Sequence, residues 1–430
     1  MIADAWRHRS IGIAPLAVAG LLGFGATAEE YILVGSLVDF TGRTAVVGKS
    51  YGQGKVDAAN WINEHGGING RLLDVDTVDN SYGAERSLET YRKWARQGAV
   101  AIQGWGKADT EATLRYLGSD EIPYFSASYA AHLTNPMGLG RGEKVTSPYV
   151  FPMGPSYSDG ARALISWAAK DWQSRNGERM PKYVHMGGDD VYSKAPQKAG
   201  ELYAVDKGFD VLRAITYSEN PNEVGVACSR LKESNADYAF LANTSAPNLA
   251  LLRGCLAAGV TTQFMTNIWG YDENVMKAAG IAADGVVWVM GAATWREDVP
   301  GMKILREVSR MSDPQDKAYR TVHYVRGVCA MLFMKEAMEW ADANGGVNGP
   351  NIRRAMYQRR EWVPQGLEGV CLPGTWEGTD HRGFARVRVY RGHVGGPTQD
   401  SLYDLFDGGT LKMEKLYEVD IPRRPDWLGW

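Results

Sequence analysis

Beyond its N-terminus the sequence has no apolar run approaching the roughly 20 residues that a bilayer-spanning helix needs, so the body of the chain offers no helical span. Charge of neither sign is in excess. The 47 basic and 50 acidic residues nearly cancel, which argues against a polybasic membrane patch and against a nucleic-acid partner. Cysteine is scarce: Cys228, Cys255, Cys329 and Cys371 lie far apart without a C-x-x-C pair, which argues against a zinc site or a thioredoxin motif. In an oxidising compartment they suffice for two disulfides, with buried free thiols as the alternative.

Nucleotide signatures are incomplete as well. In "VAIQGWGKADTEA" (100–112) Asp109 holds the third glycine position of G-x-G-x-x-G, and Ala108 stands where a P-loop needs Ser or Thr after its lysine. A carboxylate there would face a pyrophosphate. Ser126 and Ser128 have no G-x-S-x-G frame, which leaves no marked nucleophile. Neither His185 with Asp189 and Asp190 nor Asp380 with His381 has a third ligand at metal-binding spacing. No metal, cofactor or catalytic residue is expected.

What is present begins with a leader. Arg7, His8 and Arg9 precede "SIGIAPLAVAGLLGFG", and Ala26-Thr27-Ala28 follows, the pattern of a basic head, an apolar core and an A-x-A cleavage site. Residues 1–28 are therefore expected to be a signal peptide, and the mature chain to be exported. No cysteine follows the cleavage point, so a lipid anchor is not indicated.

From Tyr31 onward, apolar runs of four to seven residues alternate with longer amphipathic segments: "YILVGSLVDF", then "GKSYGQGKVDAANWINEHG", then "RLLDVDTVDN". The alternation restarts at "YSDGARALISWAAKDW", predicting two α/β units in tandem, each with a parallel sheet. No Pro/Gly/Ser linker divides them, and the crossings near 149–153 and 286–291 read as hinges. In open α/β sheets ligands bind beyond the carboxyl ends of strands. The segments falling there, "DFTGRTAVVG", "GWGKADT", "SASYAAHLT", "GGDDVYSK", "NTSAPN" and "NIWGYDEN", are rich in Gly, Ser, Thr and aromatics. Trp105, Tyr129, Tyr192, Trp269 and Tyr271 all lie in them, the makings of an aromatic-lined pocket.

The order of "LVDFTG", "WINEHGGINGR", "SASYAAHLT", "DDVYSKAP" and "LLRGCLAAGVTTQFM" resembles that of the type I periplasmic solute-binding proteins of ABC importers, in the leucine/isoleucine/valine-binding branch. The resemblance implies a Venus-flytrap fold of two Rossmann-like lobes joined by three hinge crossovers, 29–152 plus 292–384 and 153–291 plus 385–430. It implies a periplasmic monomer that holds a small hydrophobic amino acid or carboxylate and delivers it to an inner-membrane ABC permease. The family's contact positions fall on Trp105, Gly106, Lys107, Ser128 and Tyr129 in the first lobe, and on Tyr192, Thr244, Ser245, Asn267 and Trp269 in the second. A hydrolase on the same fold, or a sensory protein serving a receptor, are the alternatives.

Gly104 and Gly106 are expected to let backbone approach the ligand, with the following helix aiming free N–H groups at a carboxylate. One departure stands out. Where the branch's amino-acid binders place a carboxylate for the ligand's ammonium, this chain has Ser156 and Ile268, and Lys107 replaces a small hydroxyl residue at the cradle. Such a site suits a carboxylate lacking an α-ammonium, unless Asp109, Asp159, Asp189, Asp190 or Asp272 supplies the partner.

Overall fold

The computed structural model describes residues 31–138, 146–175 and 178–430; the expected leader, 1–28, lies outside them. β1 (Ile32–Val38), α1 (Ala45–Glu64), β2 (Leu73–Asp79), α2 (Ala84–Gln97), β3 (Ala101–Gln103), α3 (Lys107–Asp120), β4 (Tyr124–Ser126) and β5 (Val150–Pro152) come first. Their strands form one parallel sheet in the order β2-β1-β3-β4-β5. β1 is almost wholly buried, as a central parallel strand covered on both faces must be.

After β5 the chain enters α4 (Tyr157–Ser174), β6 (Lys182–Gly187), α5 (Val191–Lys194), α6 (Gln197–Asp206), β7 (Asp210–Val211), β8 (Ile215–Thr216), α7 (Pro221–Ser234) and β9 (Tyr238–Leu241). α8 (Ser245–Ala257), β10 (Gln263–Thr266), α9 (Glu273–Ala279) and β11 (Val287–Met290) complete this excursion. The chain then returns as α10 (Met302–Ser309), α11 (Val322–Ala343) and α12 (Gly349–Ala355), of which α10 and α11 pack on α1. It crosses a third time into β12 (Arg386–Val394), α13 (Leu402–Asp407) and β13 (Leu411–Asp420). The second sheet runs β13-β12-β11-β10-β9-β6-β7, with β8 also on β6, and only the β11–β12 and β12–β13 pairs are antiparallel. The architecture is thus a two-lobe α/β fold with a parallel core in each lobe.

β13 lies in the charged tail that sequence patterning left without an element. Its register with β12 sets Arg386 opposite Asp420 and Arg388 opposite Glu418, and both pairs are ion-paired, at 2.9 and 3.2 Å. Two disulfides are present. Cys228–Cys255 ties α7 to α8, and Cys329–Cys371 ties α11 to the segment ahead of the third crossing. No helix among the described residues is long and apolar enough to cross a membrane.

Candidate functional site

Helices α1 and α11 set the geometry of the cleft. They cross so closely that a Cβ on Gly54 would overlap the Tyr324 carbonyl oxygen, and one on Gly327 the Tyr51 carbonyl oxygen. This contact carries Tyr51, Lys55 and Arg326 to the carboxyl ends of the first sheet. Lys55 is buried, and its Nζ donates to the Leu37 carbonyl at 2.7 Å and to those of Gln103 and Gly104 at 3.3 and 3.4 Å. Burial pulls its ammonium down to about 7.

The loop after β3 leads into α3 through Gly106, and Asp109 in the first turn of that helix closes it. Its carboxylate accepts the Trp105 and Gly106 amides, both at 2.7 Å, and the Tyr124 hydroxyl at 2.5 Å. Burial raises this carboxyl above the usual range. The two amides just ahead of the helix are therefore already paired, because an acidic side chain in the first turn is the nearest anion to the helix start. Nor is there open space over the glycines. Tyr124 covers Gly104 and Tyr82 covers Gly106. A ligand carboxylate at this helix start would meet the carboxylate of Asp109.

A chain of aromatic rings runs between the two sheets. Trp269, after β10 of the second sheet, lies 5.1 Å from Trp105 and 5.8 Å from Tyr129, which follow β3 and β4 of the first. Tyr51 touches both tryptophans, at 5.3 and 5.6 Å. From Tyr129 the chain continues through Tyr157 at 5.8 Å to Tyr192 at a further 5.2 Å. Trp105, Tyr129 and Trp269 are buried. Beside them a cavity of about 170 Å³ is bordered by Lys107, Ser128, His132, Tyr157, Tyr192 and Trp430. The Ser128 hydroxyl is buried without a hydrogen-bond partner.

Of the remaining positions singled out in sequence, Ser245 and Asn267 act on Trp269. Ser245 Oγ donates to its carbonyl at 3.2 Å; Asn267 Oδ1 accepts its amide at 2.9 Å and the Tyr192 hydroxyl at 3.1 Å. Half-buried Thr244 precedes α8. Tyr271 departs from the expected pocket: it donates to the Ala283 carbonyl at 3.0 Å and packs on Trp288, within the core of the second sheet. Among the described residues no cluster of three or more His, Cys, Asp or Glu is arranged to hold a metal ion.

Sequence reading missed Tyr51, Tyr157 and, above all, Arg326. Arg326 is 2 % exposed, and its guanidinium carbon lies 3.8 Å from the Trp269 ring centre and 5.2 Å from that of Tyr129. Its terminal nitrogens donate to the Tyr129 hydroxyl (2.8 Å), His323 Nδ1 (2.9 Å) and the Ile268 carbonyl (3.3 Å), while Nε has no partner. Burial and the neighbouring guanidinium push His323 well down, so it accepts as a neutral ring. The signal was there: Arg326 is the one Lys, Arg, Asp or Glu between Thr321 and Lys335 in a helix otherwise apolar.

The acidic residues around the cleft are engaged elsewhere. Asp159 pairs with buried Arg162 at 2.7 Å and Asp189 pairs with Lys194. Asp190 caps α5 by accepting the Tyr192 amide, and Asp272 caps α9 by accepting the Val275 amide at 2.9 Å. Glu273 accepts the Val322 amide at 3.2 Å. Burial raises Asp272 to about 6 and, with Asp272 beside it, Glu273 to about 8. Ser156 spends its hydroxyl on the Asp159 amide, and Ile268 offers only its carbonyl.

A family model described as periplasmic binding protein matches residues 32–397. The chain is 24 % identical over 272 residues to Leu/Ile/Val-binding protein homolog 7 of Brucella suis, a match spanning 62 % of this chain and 62 % of that relative's length. Among solved structures, an ABC transporter substrate-binding protein from Aeropyrum pernix superimposes with a TM-score of 0.76 at 24 % identity, covering 93 % of this chain and 98 % of the other. A branched-chain amino acid ABC transporter protein from Thermus thermophilus with bound valine gives 0.75 at 16 % identity, covering 90 % and 97 %. A fatty acid ABC transporter substrate-binding protein from Thermomonospora curvata gives 0.74 at 17 %, covering 92 % and 96 %.

Proposed function

The chain belongs to the periplasmic binding protein family, and from that premise we propose that it is the exported substrate-binding protein of a branched-chain-amino-acid-type ABC importer. It captures a small hydrophobic amino acid or carboxylate between two lobes and hands it to an inner-membrane permease, without chemistry. The lobes are residues 29–152 plus 292–384 and 153–291 plus 385–430, and they move about the three crossings.

The observation that carries this reading is the ring contact between the sheets, Trp105 from one and Trp269 from the other, 5.1 Å apart. Rings on opposite walls close over an apolar ligand body and part to release it. Trp105, Tyr129, Tyr192 and Trp269 form the walls in this reading, Lys107 and Ser128 are polar contacts at the mouth, and Gly106, Thr244, Ser245 and Asn267 shape the loops. Export by a leader cleaved after Ala28 fits the two disulfides, which persist in an oxidising compartment. One structural neighbour holds valine and another is named for fatty acids, so the fold leaves the ligand class open.

A thermal-shift screen of the mature protein against free amino acids, aliphatic and aromatic acids and their amides tests the reading. A ligand at 100 times its dissociation constant adds about 2.7 kcal/mol of stability and raises the melting temperature by several degrees. A flat response across all three classes would overturn it.

A further inference from the structure

We infer that the ligand is a monocarboxylate with an apolar body and no α-ammonium, and that Arg326 is the residue that selects it. This rests on the reading of the cleft as a ligand trap and goes on to name what the trap takes.

A buried charge without a counter-ion is costly, and a carboxylate offsets that cost best at a guanidinium, whose planar fork matches it. Arg326 is buried beside Trp269 and Tyr129, its partners are a phenol, a neutral imidazole and a carbonyl, and its Nε is unpartnered. It has no ion pair with a carboxylate among the described residues. The neighbouring ammonium of Lys55 differs, since three backbone carbonyls surround it. One unmatched cation asks for one anion.

An α-ammonium would need the opposite, a carboxylate free to accept it. Asp109, Asp159, Asp189, Asp190 and Asp272 are all committed to amides, hydroxyls or basic side chains, and Glu273 holds the α11 amide of Val322. Placing an ammonium beside Arg326 would instead add a second buried positive charge. Around the guanidinium the buried side chains are aromatic, with Trp269, Trp105, Tyr129 and Tyr51 in mutual contact, and when the two walls part their faces suit a hydrocarbon or phenyl body.

Two acid and amino-acid pairs that differ only in the ammonium test this: 4-methylpentanoate against L-leucine, and 3-phenylpropionate against L-phenylalanine, each with the amide of the acid as a third ligand. Calorimetry on the wild type is expected to give at least one acid a tenfold or greater advantage over its amino acid and over its amide. Arg326→Gln should weaken that acid tenfold to a hundredfold, the scale of a charge-assisted hydrogen bond, while changing the amide little. Arg326→Lys should restore part of the loss. Lys107→Ala, at the mouth, should cost the acid less than Arg326→Gln does.

Tighter binding of L-leucine or L-phenylalanine than of the matching acid overturns the inference and leaves the transport reading intact. Equal losses for acid and amide in Arg326→Gln also overturn it, making the arginine a latch between the lobes. Binding of none of the six compounds overturns it together with the ligand classes of the transport reading. Should Arg326→Gln fail to fold, the wild-type comparison within each pair decides alone.

Discussion

Replacing Gly327 by valine is expected to destabilise the protein by about 3 kcal/mol or more, the upper range for overpacking. Its Cβ would overlap the Tyr51 carbonyl oxygen, and across the same contact the Cβ of a residue at 54 would overlap that of Tyr324. Backbone oxygens held within two helices cannot rotate away, so the helices must separate. Alanine makes the sign informative. On helix propensity alone Gly327→Ala would gain about 1 kcal/mol, yet the atom it adds is the one that collides, so it too should destabilise. Urea unfolding followed by circular dichroism measures both. A Gly327→Ala protein more stable than wild type would mean that α1 and α11 do not approach as described. Because Tyr51 and Arg326 stand on either side of this crossing, ligand affinity should fall along with stability.

Opening the Cys329–Cys371 bridge is expected to cost about 4 kcal/mol, and opening Cys228–Cys255 slightly less. The loops they close span 42 and 27 residues of sequence separation, and the chain-entropy relation rises with the logarithm of that length. Paired alanine variants at each bridge, unfolded in urea, should show these losses in that order. Thiol titration of unfolded protein recovered from the periplasm should find no free cysteine. Four reactive thiols in that material, or a Cys329→Ala/Cys371→Ala protein as stable as wild type, would contradict the pairing.

How much of this was legible in the sequence follows from what each residue does. α3 begins at Lys107 and ends at Asp120, as its pattern implies, because Gly106 and the first-turn acid mark its start. β1 and β9 stand out as compact apolar runs that both sheets bury. "FDVLRAITY" reads as one strand, but only 210–211 and 215–216 pair, each at a different point along β6. β13 escaped because an edge strand that carries Lys and Glu on its open face does not look apolar.

The cleft was legible where it consists of loops and obscure where it consists of helix. Trp105, Tyr129 and Trp269 stand after strands, the position where a ligand site is sought, and the fold brings them together. In sequence Asp109 is out of place for a phosphate loop; in the fold its carboxylate takes the Trp105 and Gly106 amides just ahead of α3. Arg326 comes from the second turn of a largely apolar helix more than 200 residues from Trp105, and only the α1–α11 crossing places it at the strand ends. No local pattern encodes that distance.

The central claim is that two lobes close around a small ligand, with Trp105 and Trp269 meeting as they do. Small-angle X-ray scattering measures it most directly, on the mature protein alone and with a saturating amount of whichever acid or amino acid gives the largest thermal shift. The account expects a smaller radius of gyration with ligand than without, and a ligand-bound curve that matches the one calculated from the arrangement in which Trp105 and Trp269 are in contact. An unchanged radius at saturation, with binding verified by calorimetry on the same sample, would contradict it.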